Sequence, residues 1–524
     1  MAHPRESAAE DDESVVRARL AAIAIGLLAL VLHGFRVTSA PDIFGDEGLY
    51  NLVARHLATG AGLVDDVGTF VWHPPGYPVL LSLWAQVTGS LNIDFTTAIL
   101  DSRYLNVIFS ALTAALLVMF GRRLLDLRAG ILMGLLFTGD LFVQRINRRS
   151  MIETSVMFLM LIGLYVFYTQ RNRVSGKRVI GAGLALGAAV LTKEVAAIAI
   201  VGLGVYVGLF QRRLIGSFVK VVTIAGAMYA AYVAWGLTTD PDRFLAFKLG
   251  ALTRIIGIGR GLVPREARID TGINPGIVER LGPAIADFGP TYLLMAVGAL
   301  ALLVLLLRFR DRPAAQLVLS WGAVSYVVIG FGTIVGAGDH FLYYVVIPAI
   351  VAIGYVSIAA WPSIERIGIG IPGTRARLRL AIVLLVALAS YDVLVWTSRY
   401  GVGEDDSYAR LAQSVREQIP AGSTIVVGAD VNNFLFRPDY DIEFYRDQNS
   451  VLTKHVRYFI LSSKEARQRY NRMTPDFYDW VRSHTKPVVE FEGDTYWTLG
   501  LYRWDDTLAG AQGNAPVFAT PSAP

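Results

Sequence analysis

The stretch LAAIAIGLLALVLHGF, Leu20–Phe35, contains sixteen residues without a carboxylate, lysine or arginine. A helix needs roughly 20 apolar residues to cross a bilayer core about 30 Å thick, because its backbone polar groups must be satisfied internally. With its flanks, this stretch predicts a transmembrane helix over residues 16–37. A second stretch, LLMAVGALALLVLLL (Leu293–Leu307), has the same character. The fold is therefore expected to be that of an integral membrane protein.

The composition supports this expectation. The chain is 54% hydrophobic and 17% charged, whereas soluble domains are about 25% charged. It contains no cysteine, which excludes a disulfide framework and a thiolate metal site. The net charge of +5 comes from basic residues between apolar spans, which is a topology signal and does not indicate a nucleic-acid partner.

Hydropathy predicts a polytopic α-helical membrane protein with about eleven spans. They lie at 16–37, 101–121, 129–144, 151–169, 178–192, 195–211, 214–236, 289–307, 315–335, 340–361 and 379–397. Basic clusters then fall on one side, which the positive-inside rule places in the cytoplasm. The segment 178–211 is interpreted as two short spans joined by the turn LTKEVA, and one long tilted helix is the alternative.

The composition changes at both ends of this membrane region. Residues 1–15 are expected to form a disordered cytoplasmic tail, 16–397 the transmembrane domain, 398–506 an extracytoplasmic domain, and 507–524 a disordered tail. In the third part, DDSYARLAQSVREQIP predicts an amphipathic helix, and GSTIVVGA and VRYFILSS predict buried strands. KPVVEFEGDTYWTLGLYRW predicts a pair of strands. A small α/β domain is therefore expected.

Two adjacent acids open the first candidate motif, FGDEGLYNLVARHLATG (Phe44–Gly60). Asp46 could cap the helix that follows, with Glu47 in its first turn. Alternatively, both carboxylates could serve chemistry at the point where the membrane ends.

Four further motifs lie on the same predicted outer face. They are WHPPGYPVLL with His73, QRINRRSMIETS with Arg148, Arg149 and Glu153, LTKEVA with Lys193 and Glu194, and GDHFLYYVVIP with His340, Tyr343 and Tyr344. Each has a structural alternative: an interfacial loop, an Arg149–Glu153 pair, a Lys193–Glu194 pair and an aromatic belt. Together, carboxylates and cations at span ends suit sugar transfer from a polyprenyl phosphate, because a carboxylate takes the acceptor proton and cations stabilise the leaving phosphate.

These five motifs, in this order, resemble the GT-C superfamily of membrane glycosyltransferases. The branch of protein O-mannosyltransferases and the lipid A aminoarabinose transferase is the most similar. The resemblance is carried by GDEGLYNLVARHLATG, HPPGYPVLL, RRSMIETSVMFLML, LGAAVLTKEVA and DHFLYYVVIP, and extends over about residues 1–400. It implies the GT-C fold and a multi-pass protein of the cell (plasma) membrane with an extracytoplasmic active site.

The resemblance also implies roles for particular residues. Asp46 would be the catalytic general base, with Glu47 and Glu153 orienting the donor or the acceptor. Donor phosphate binding would involve Lys193, His73, Arg148, Arg149 and an arginine of the 237–288 loop, Arg254 or Arg260. The substrate pocket would include Tyr50, His340, Tyr343 and Tyr344. Some relatives bind a divalent metal (Mg, Mn or Ca), for which Asp46, Glu47 and Glu153 would be the ligands.

The expected partners are a polyprenyl-phosphate-linked sugar donor and a glycan, lipid or protein acceptor. A transporter or flippase of lipid-linked substrates is the main alternative, because membrane acids and lysines also serve proton relays. It predicts polar residues near the middle of several spans, whereas the charges here crowd the outer face. A non-catalytic scaffold would not need Asp46, and an oligosaccharyltransferase-like protein would need a much larger soluble domain.

Overall fold

The computed structural model describes residues 4–171, 174–256, 277–334, 339–368, 391–428, 430–437, 439–444, 448–468 and 475–505. Up to residue 368 the described chain is almost entirely helical. Its helices are α1 (Pro4–Gly34), α2 (Gly45–Ala58), α3 (Gly76–Thr88), α4 (Phe95–Leu124), α5 (Leu127–Gly139), α6 (Leu141–Asn147), α7 (Ile152–Tyr168), α8 (Gly176–Thr192), α9 (Ala197–Leu209), α10 (Ile215–Thr239), α11 (Pro241–Ile256), α12 (Ile277–Arg308), α13 (Pro313–Ile334) and α14 (Tyr343–Gly368). Short 3₁₀ turns lie between several of them.

Six described helical segments are long and apolar enough to cross a membrane. They are Ser14–Gly34, Phe95–Leu124, Arg212–Thr239, Asp287–Arg308, Pro313–Gly330 and His340–Ala360. The pair α5 and α6, bent by 69°, forms a further candidate span. The polytopic helical fold is thus confirmed, and the number of eleven spans stays a prediction.

The first ten predicted spans coincide with helices, although α7, α8 and α9 are only 17, 17 and 13 residues long. Most of the eleventh, 379–397, lies outside the described residues. The alternative of one continuous helix over 178–211 is wrong. Lys193 is extended, with φ −155° and ψ 131°, and separates α8 from the 3₁₀ turn that precedes α9.

The described C-terminal region contains a five-stranded sheet in the order β2-β1-β3-β5-β4. Its strands are β1 (Thr424–Val427), β2 (Asp441–Glu443), β3 (Tyr458–Ser462), β4 (Thr485–Gly493) and β5 (Trp497–Trp504). The first three pair in parallel, and β5 is antiparallel to both β3 and β4. Helices α15 (Ser407–Gln418), α16 (Asp430–Phe436), α17 (Gln448–Thr453), α18 (Ser463–Gln468) and α19 (Pro475–His484) accompany them. The small C-terminal sheet expected from the sequence is confirmed.

The loop between α1 and α2 joins the membrane helices to the C-terminal region. The buried carboxylate of Asp42 accepts from the backbone N–H of Tyr408 at 3.0 Å. The carboxylate of Asp405, also buried, accepts from the N–H of Asp42 at 3.1 Å. The hydroxyl of Tyr496 donates to the carbonyl of Ile43 at 2.8 Å. The loop that precedes α2 is therefore held by two parts of the C-terminal region, the start of α15 and the turn between β4 and β5.

Candidate active site

Asp46 is the second residue of α2 and is partly exposed. The residue that caps the helix is Phe44, and its N–H donates to Oε2 of Glu47 at 2.9 Å. Glu47 therefore supplies the side-chain cap that sequence analysis considered for Asp46. The capping interpretation of Asp46 is wrong, because this residue lies inside the first turn.

Glu47 is fully buried and bonded on both oxygens. Oε1 accepts from Nε of Arg103 at 2.8 Å and from the N–H of Ser150 at 2.7 Å. Oε2 accepts from a terminal nitrogen of Arg103 at 2.9 Å. A bidentate, charge-assisted ion pair of this kind is among the stronger polar contacts in proteins. Glu47 fixes α2 against α4 and the start of α7, which contradicts its expected contact with donor or acceptor.

Glu153 lies at the start of α7 and is also fully buried. Its Oε1 pairs with Nζ of Lys193, and Nε2 of His340 lies 3.8 Å from the same oxygen. The ammonium of Lys193 is 4.5 Å from the ring centroid of Phe341. Oε2 of Glu153 and the hydroxyl of Tyr344 are buried without a hydrogen-bond partner among the described residues. Two polar atoms are thus available to a ligand, because buried polar groups are normally bonded.

A second ion cluster adjoins the first, because Glu194 follows Lys193 directly. Oε1 of Glu194 pairs with Nζ of Lys248, and Oε2 lies 3.8 Å from Nδ1 of His73. Lys248 belongs to α11, a helix that sequence analysis did not predict. Lys193 and Glu194 therefore pair with other residues, and the structural Lys193–Glu194 pair considered from the sequence is wrong.

Tyr50 lies one turn after Asp46 and connects the two clusters. Its ring centroid is 6.1 Å from that of His73 and 5.5 Å from that of Tyr77. Burial raises the pKa of the Tyr50 phenol, and the negative charges of Asp46 and Glu153 raise it further. Burial lowers the pKa of His73, and the contact with Glu194 opposes this shift only in part. Tyr50 is thus a neutral phenol between two carboxylates.

Two arginines expected to bind phosphate have other partners. Arg148 is fully buried and donates to the backbone carbonyls of Leu32, His33, Phe35, Arg36 and Ala40. These bonds use all five N–H groups of a guanidinium, so its expected phosphate contact is wrong. Arg149 donates to the carbonyl of Asp42 and to the hydroxyl of Thr495. The Arg149–Glu153 pair considered from the sequence is therefore not formed.

The remaining expected site residues are Tyr343, Arg254 and Arg260. The hydroxyl of Tyr343 donates to Oδ1 of Asn147 at 2.8 Å, so this side chain has a partner within the helices that surround the site. Arg260 and the side chain of Arg254 lie outside the described residues. In the described part of the same segment, Lys248 is the cation that reaches the site.

The three carboxylates proposed as metal ligands do not form one ligand set. Both oxygens of Glu47 are committed to Arg103 and backbone N–H groups. Over the described ranges, no group of three histidine, cysteine, aspartate or glutamate side chains could hold a metal ion. The arrangement of Asp46, Glu47 and Glu153 therefore does not fit a divalent cation.

Arg103 and Lys248 were not predicted as site residues, although each carries a signal in the sequence. Arg103 lies near the beginning of the predicted span 101–121, and a charge inside a span is costly unless it is paired or functional. Lys248 belongs to PDRFLAFKLGALTRII, whose apolar residues recur at helical spacing. These signals predict a buried pair and an amphipathic helix, but they do not identify the partners.

Comparisons with known proteins point to one fold. The family model of dolichyl-phosphate-mannose-protein mannosyltransferases matches residues 72–235, which is less than half of the chain. No curated protein matches the sequence significantly. The crystal structure of ArnT from Cupriavidus metallidurans bound to undecaprenyl phosphate is similar, with a TM-score of 0.55 and 14% identity. This match covers 96% of this chain and 99% of that chain.

An archaeal structure is similar over almost the same length. The oligosaccharyltransferase AglB from Archaeoglobus fulgidus, in complex with an inhibitory peptide and a dolichol-phosphate, gives a TM-score of 0.58 at 13% identity. The match covers 95% of this chain and 75% of that chain. These matches confirm the resemblance predicted from the five motifs. The chain has the fold of the GT-C membrane glycosyltransferases.

Proposed function

We propose that the protein transfers a sugar from a polyprenyl-phosphate donor to a hydroxyl acceptor at the extracytoplasmic face of the cell membrane. The observation that carries the proposal is the difference in exposure between the carboxylates at the starts of α2 and α7. Glu47 and Glu153 are fully buried beside Arg103 and Lys193. Asp46 is partly exposed at the start of α2, so an acceptor can approach its carboxylate.

Asp46 is proposed as the general base. It takes the proton of the acceptor hydroxyl while the hydroxyl oxygen forms a bond to the anomeric carbon of the donor sugar. The bond between this carbon and the phosphate oxygen breaks, and the polyprenyl phosphate leaves with the electron pair. Such a direct displacement inverts the configuration at the anomeric carbon.

Lys193 is proposed to bind the donor phosphate. An ammonium carries three donors, and one is directed at Glu153, so two remain for phosphate oxygens. The unpartnered hydroxyl of Tyr344 would contribute a further donor. Similar structures containing undecaprenyl phosphate and dolichol-phosphate support this class of donor. The pocket would stabilise the charge that develops on the leaving phosphate.

The test is sugar transfer by the purified full-length protein from synthetic polyprenyl-phosphate hexoses and pentoses, with membranes as the source of acceptor. A general base contributes about 10²–10⁴-fold in rate, so Asp46→Asn should lower turnover by about this factor and keep donor binding. Lys193→Ala should weaken donor binding. The control is Lys220→Ala, which removes an exposed lysine of α10.

Two outcomes would contradict the proposal. Near-full activity of Asp46→Asn would show that this carboxylate is not the base. Transport of the lipid-linked sugar without its transfer would favour the flippase alternative.

A further inference from the structure

Asn147 is a buried polar residue to which the proposed function assigns no role. It is the last residue of α6 and lies within the motif QRINRRSMIETS. Its side chain is fully buried and bonds to hydroxyl groups from three other helices, α4, α7 and α14. A carboxamide in such a position is costly unless its hydrogen bonds are made. The helices around Asn147 are therefore constrained to keep these bonds.

The hydrogen bonds of this carboxamide have a defined direction. Its Oδ1 accepts from the hydroxyl of Tyr343 at 2.8 Å and from the hydroxyl of Thr154 at 2.9 Å. Its Nδ2 donates to Oγ of Ser110 at 2.9 Å. All four residues are fully buried, and we call them the Asn147 network. The carbonyl oxygen thus holds α7 and α14 at one point, and the amide nitrogen holds α4.

Contacts with α1 fix the position of the Asn147 network. Oγ of Ser110 is bonded to Nδ1 of His33, and Nε2 of His33 is 3.1 Å from the carbonyl oxygen of Thr138. A carbonyl only accepts, so these bonds assign the proton of a neutral imidazole to Nε2 and make Nδ1 the acceptor for Ser110. Arg148, the residue after Asn147, donates to backbone carbonyls around the end of α1. Asn147 is therefore held by contacts on α1 and α4 as well as by those on α7 and α14.

The start of α14 supplies groups to the proposed donor pocket on both sides of Tyr343. Before it, the ring centroid of Phe341 is 4.5 Å from Nζ of Lys193. After it comes Tyr344, whose buried hydroxyl has no hydrogen-bond partner among the described residues. The bond from Tyr343 to Asn147 therefore fixes the register in which this segment approaches the cation.

Thr154 makes the corresponding bond at the start of α7. It follows Glu153 directly, and the fully buried carboxylate of Glu153 pairs with Nζ of Lys193 through Oε1. Because Thr154 donates to Oδ1 of Asn147, the first turn of α7 is joined to the same oxygen atom as α14. One acceptor atom thus sets the distance between the carboxylate that holds Lys193 and the hydroxyl of Tyr344.

Apolar side chains could fill the space of the network, but they would select its geometry less sharply. Hydrogen bonds are directional, and a fully bonded buried network favours a single arrangement of the elements that it joins. A pocket for a phosphate group needs this precision, because its donors must lie at the right distance and angle from the phosphate oxygens. A directional contact behind the pocket therefore has a use that packing alone does not supply.

We propose that Asn147 is a positioning residue of the donor pocket. Through Thr154 it holds the carboxylate that pairs with Lys193, and through Tyr343 it holds the hydroxyl of the residue that follows. This role rests on the proposed function, because it assumes that the pocket around Lys193 receives the donor phosphate. Substitutions within the network should then weaken donor binding although every group that contacts the donor is still present.

The experiment measures binding of polyprenyl phosphate to the purified full-length protein, with the melting temperature of each variant as a second readout. Tyr344→Phe removes a proposed phosphate contact and should weaken binding about tenfold, as expected for a hydrogen bond to a charged group. Tyr343→Phe removes only the bond to Asn147, whose Oδ1 keeps its other donor, and should weaken binding several-fold. In the Tyr344→Phe background it should cause no further loss, because both substitutions act through the same hydroxyl.

Two further variants separate positioning from stability. Thr154→Val should also weaken binding several-fold, and this loss should add to that of Tyr344→Phe, because it acts through the carboxylate of Glu153. Tyr326→Phe is the matched control. The hydroxyl of Tyr326 donates to the carbonyl of Met295 and joins α13 to α12, so this variant also loses a bond between membrane helices. It should bind polyprenyl phosphate like the wild type.

Three outcomes would overturn the positioning role of Asn147. They are unchanged binding by Tyr343→Phe, equal losses of binding in Tyr343→Phe and Tyr326→Phe, and a loss in Tyr343→Phe that adds to that of Tyr344→Phe. If Lys193→Ala weakens binding while Tyr343→Phe does not, the donor pocket stands and the role of the network is wrong. If Lys193→Ala leaves binding unchanged, the proposed phosphate site is wrong and the positioning role falls with it.

Discussion

Asp46 and Glu47 are neighbours in the chain, yet they have different environments. Asp46 is partly exposed at the start of α2, and Glu47 is enclosed with Arg103. The same holds for Arg148 and Arg149, of which the first bonds to carbonyls around the end of α1 and the second reaches the C-terminal region. Adjacent charged side chains project in different directions, so one motif can bury one charged group and leave its neighbour in a different environment.

Glu47→Gln should destabilise the protein strongly. Removing one partner of a buried ion pair costs about 3–5 kcal/mol, because the other charge remains buried. The melting temperature of the purified variant should therefore fall by many degrees. Arg103→Met in the Glu47→Gln background should recover part of this loss, since it removes the stranded charge.

Glu404→Gln provides the matched control. Glu404 is 65% exposed and pairs with Arg36 at 3.6 Å. An exposed pair contributes about 0–1 kcal/mol, so this variant should melt close to the wild type. Equal melting temperatures for the two glutamine variants would mean that the pair between Glu47 and Arg103 does not hold α2.

Close packing between helices sets the position of the site. A Cβ added at Gly76, the first residue of α3, would lie 2.5 Å from Oγ1 of Thr192 and 2.7 Å from the carbonyl oxygen of Leu191. Thr192 ends α8 and directly precedes Lys193. The start of α3, just after His73, therefore packs against the backbone that presents Lys193.

Gly76→Ala should separate these two segments. Overpacking of this kind costs about 1–3 kcal/mol, and we expect a lower melting temperature together with weaker binding of polyprenyl phosphate. Gly226→Ala in α10 is the control, because its added Cβ meets nothing within 4 Å. If donor binding were the same in both alanine variants, the approach of α3 would not position Lys193.

The sequence predicts elements better than it predicts contacts. Strands β1 and β3 are short, continuous runs of apolar and β-branched residues, and this pattern is sufficient to identify them as buried strands. Strand β2 was missed because Asp441–Glu443 has only three residues, two of them acidic. Its conformation follows from parallel pairing with β1. Such pairing is non-local, so a local pattern does not contain it.

The candidate site, too, is predicted better in its residues than in the contacts between them. The motifs around Asp46, His73, Glu153 and Lys193 were identified from residue types and from their place at span ends. The assignment of Glu153 to Lys193 and of Glu194 to Lys248 depends on how α7, α8 and α11 approach one another. Several pairings satisfy the same charge pattern, and only the packing of the helices decides between them.

The membrane helices and the C-terminal region form one connected molecule around the loop that precedes α2. Ile43 of this loop and Ile99 of α4 belong to the apolar core of the C-terminal sheet. A Cβ added at Gly48 would lie 2.9 Å from Cβ of Phe434 in α16. Helix α16 of the C-terminal region therefore packs directly on α2, the helix that carries Asp46.

The Asp42–Asp405 contact should make this association pH-dependent. Burial raises the pKa of Asp42, and the charge of Asp405 raises it further. The folded protein then binds a proton that the unfolded chain releases near its ordinary pKa of about 4. Stability should fall as pH rises from about 4 through the higher pKa of the folded state.

Asp42→Asn should flatten this decline, measured as the melting temperature of the C-terminal region between pH 5 and 8. Asp439→Asn is the control, because the side chain of Asp439 is 54% exposed. A decline of equal slope in wild type and Asp42→Asn would assign the pH dependence to other groups.

The proposed orientation places the C-terminal sheet outside the cytoplasm. A phosphatase reporter fused after Trp504 should be active, and a cytoplasmic β-galactosidase reporter at the same position should be inactive. Fusions in the basic segment that contains Arg212 and Arg213 should behave in the opposite way. An inactive phosphatase and an active β-galactosidase at Trp504 would mean that the chain crosses the membrane one time fewer than predicted.

The contacts of the loop before α2 also impose an order on biosynthesis. Asp42 and Ile43 leave the ribosome early, whereas Tyr408 and Tyr496, their partners, are made several hundred residues later. The loop thus gains these contacts only after the last strands have been synthesised and have folded. Nascent chains that have inserted all their helices would therefore still lack the hydrogen bonds that hold this loop to the C-terminal region.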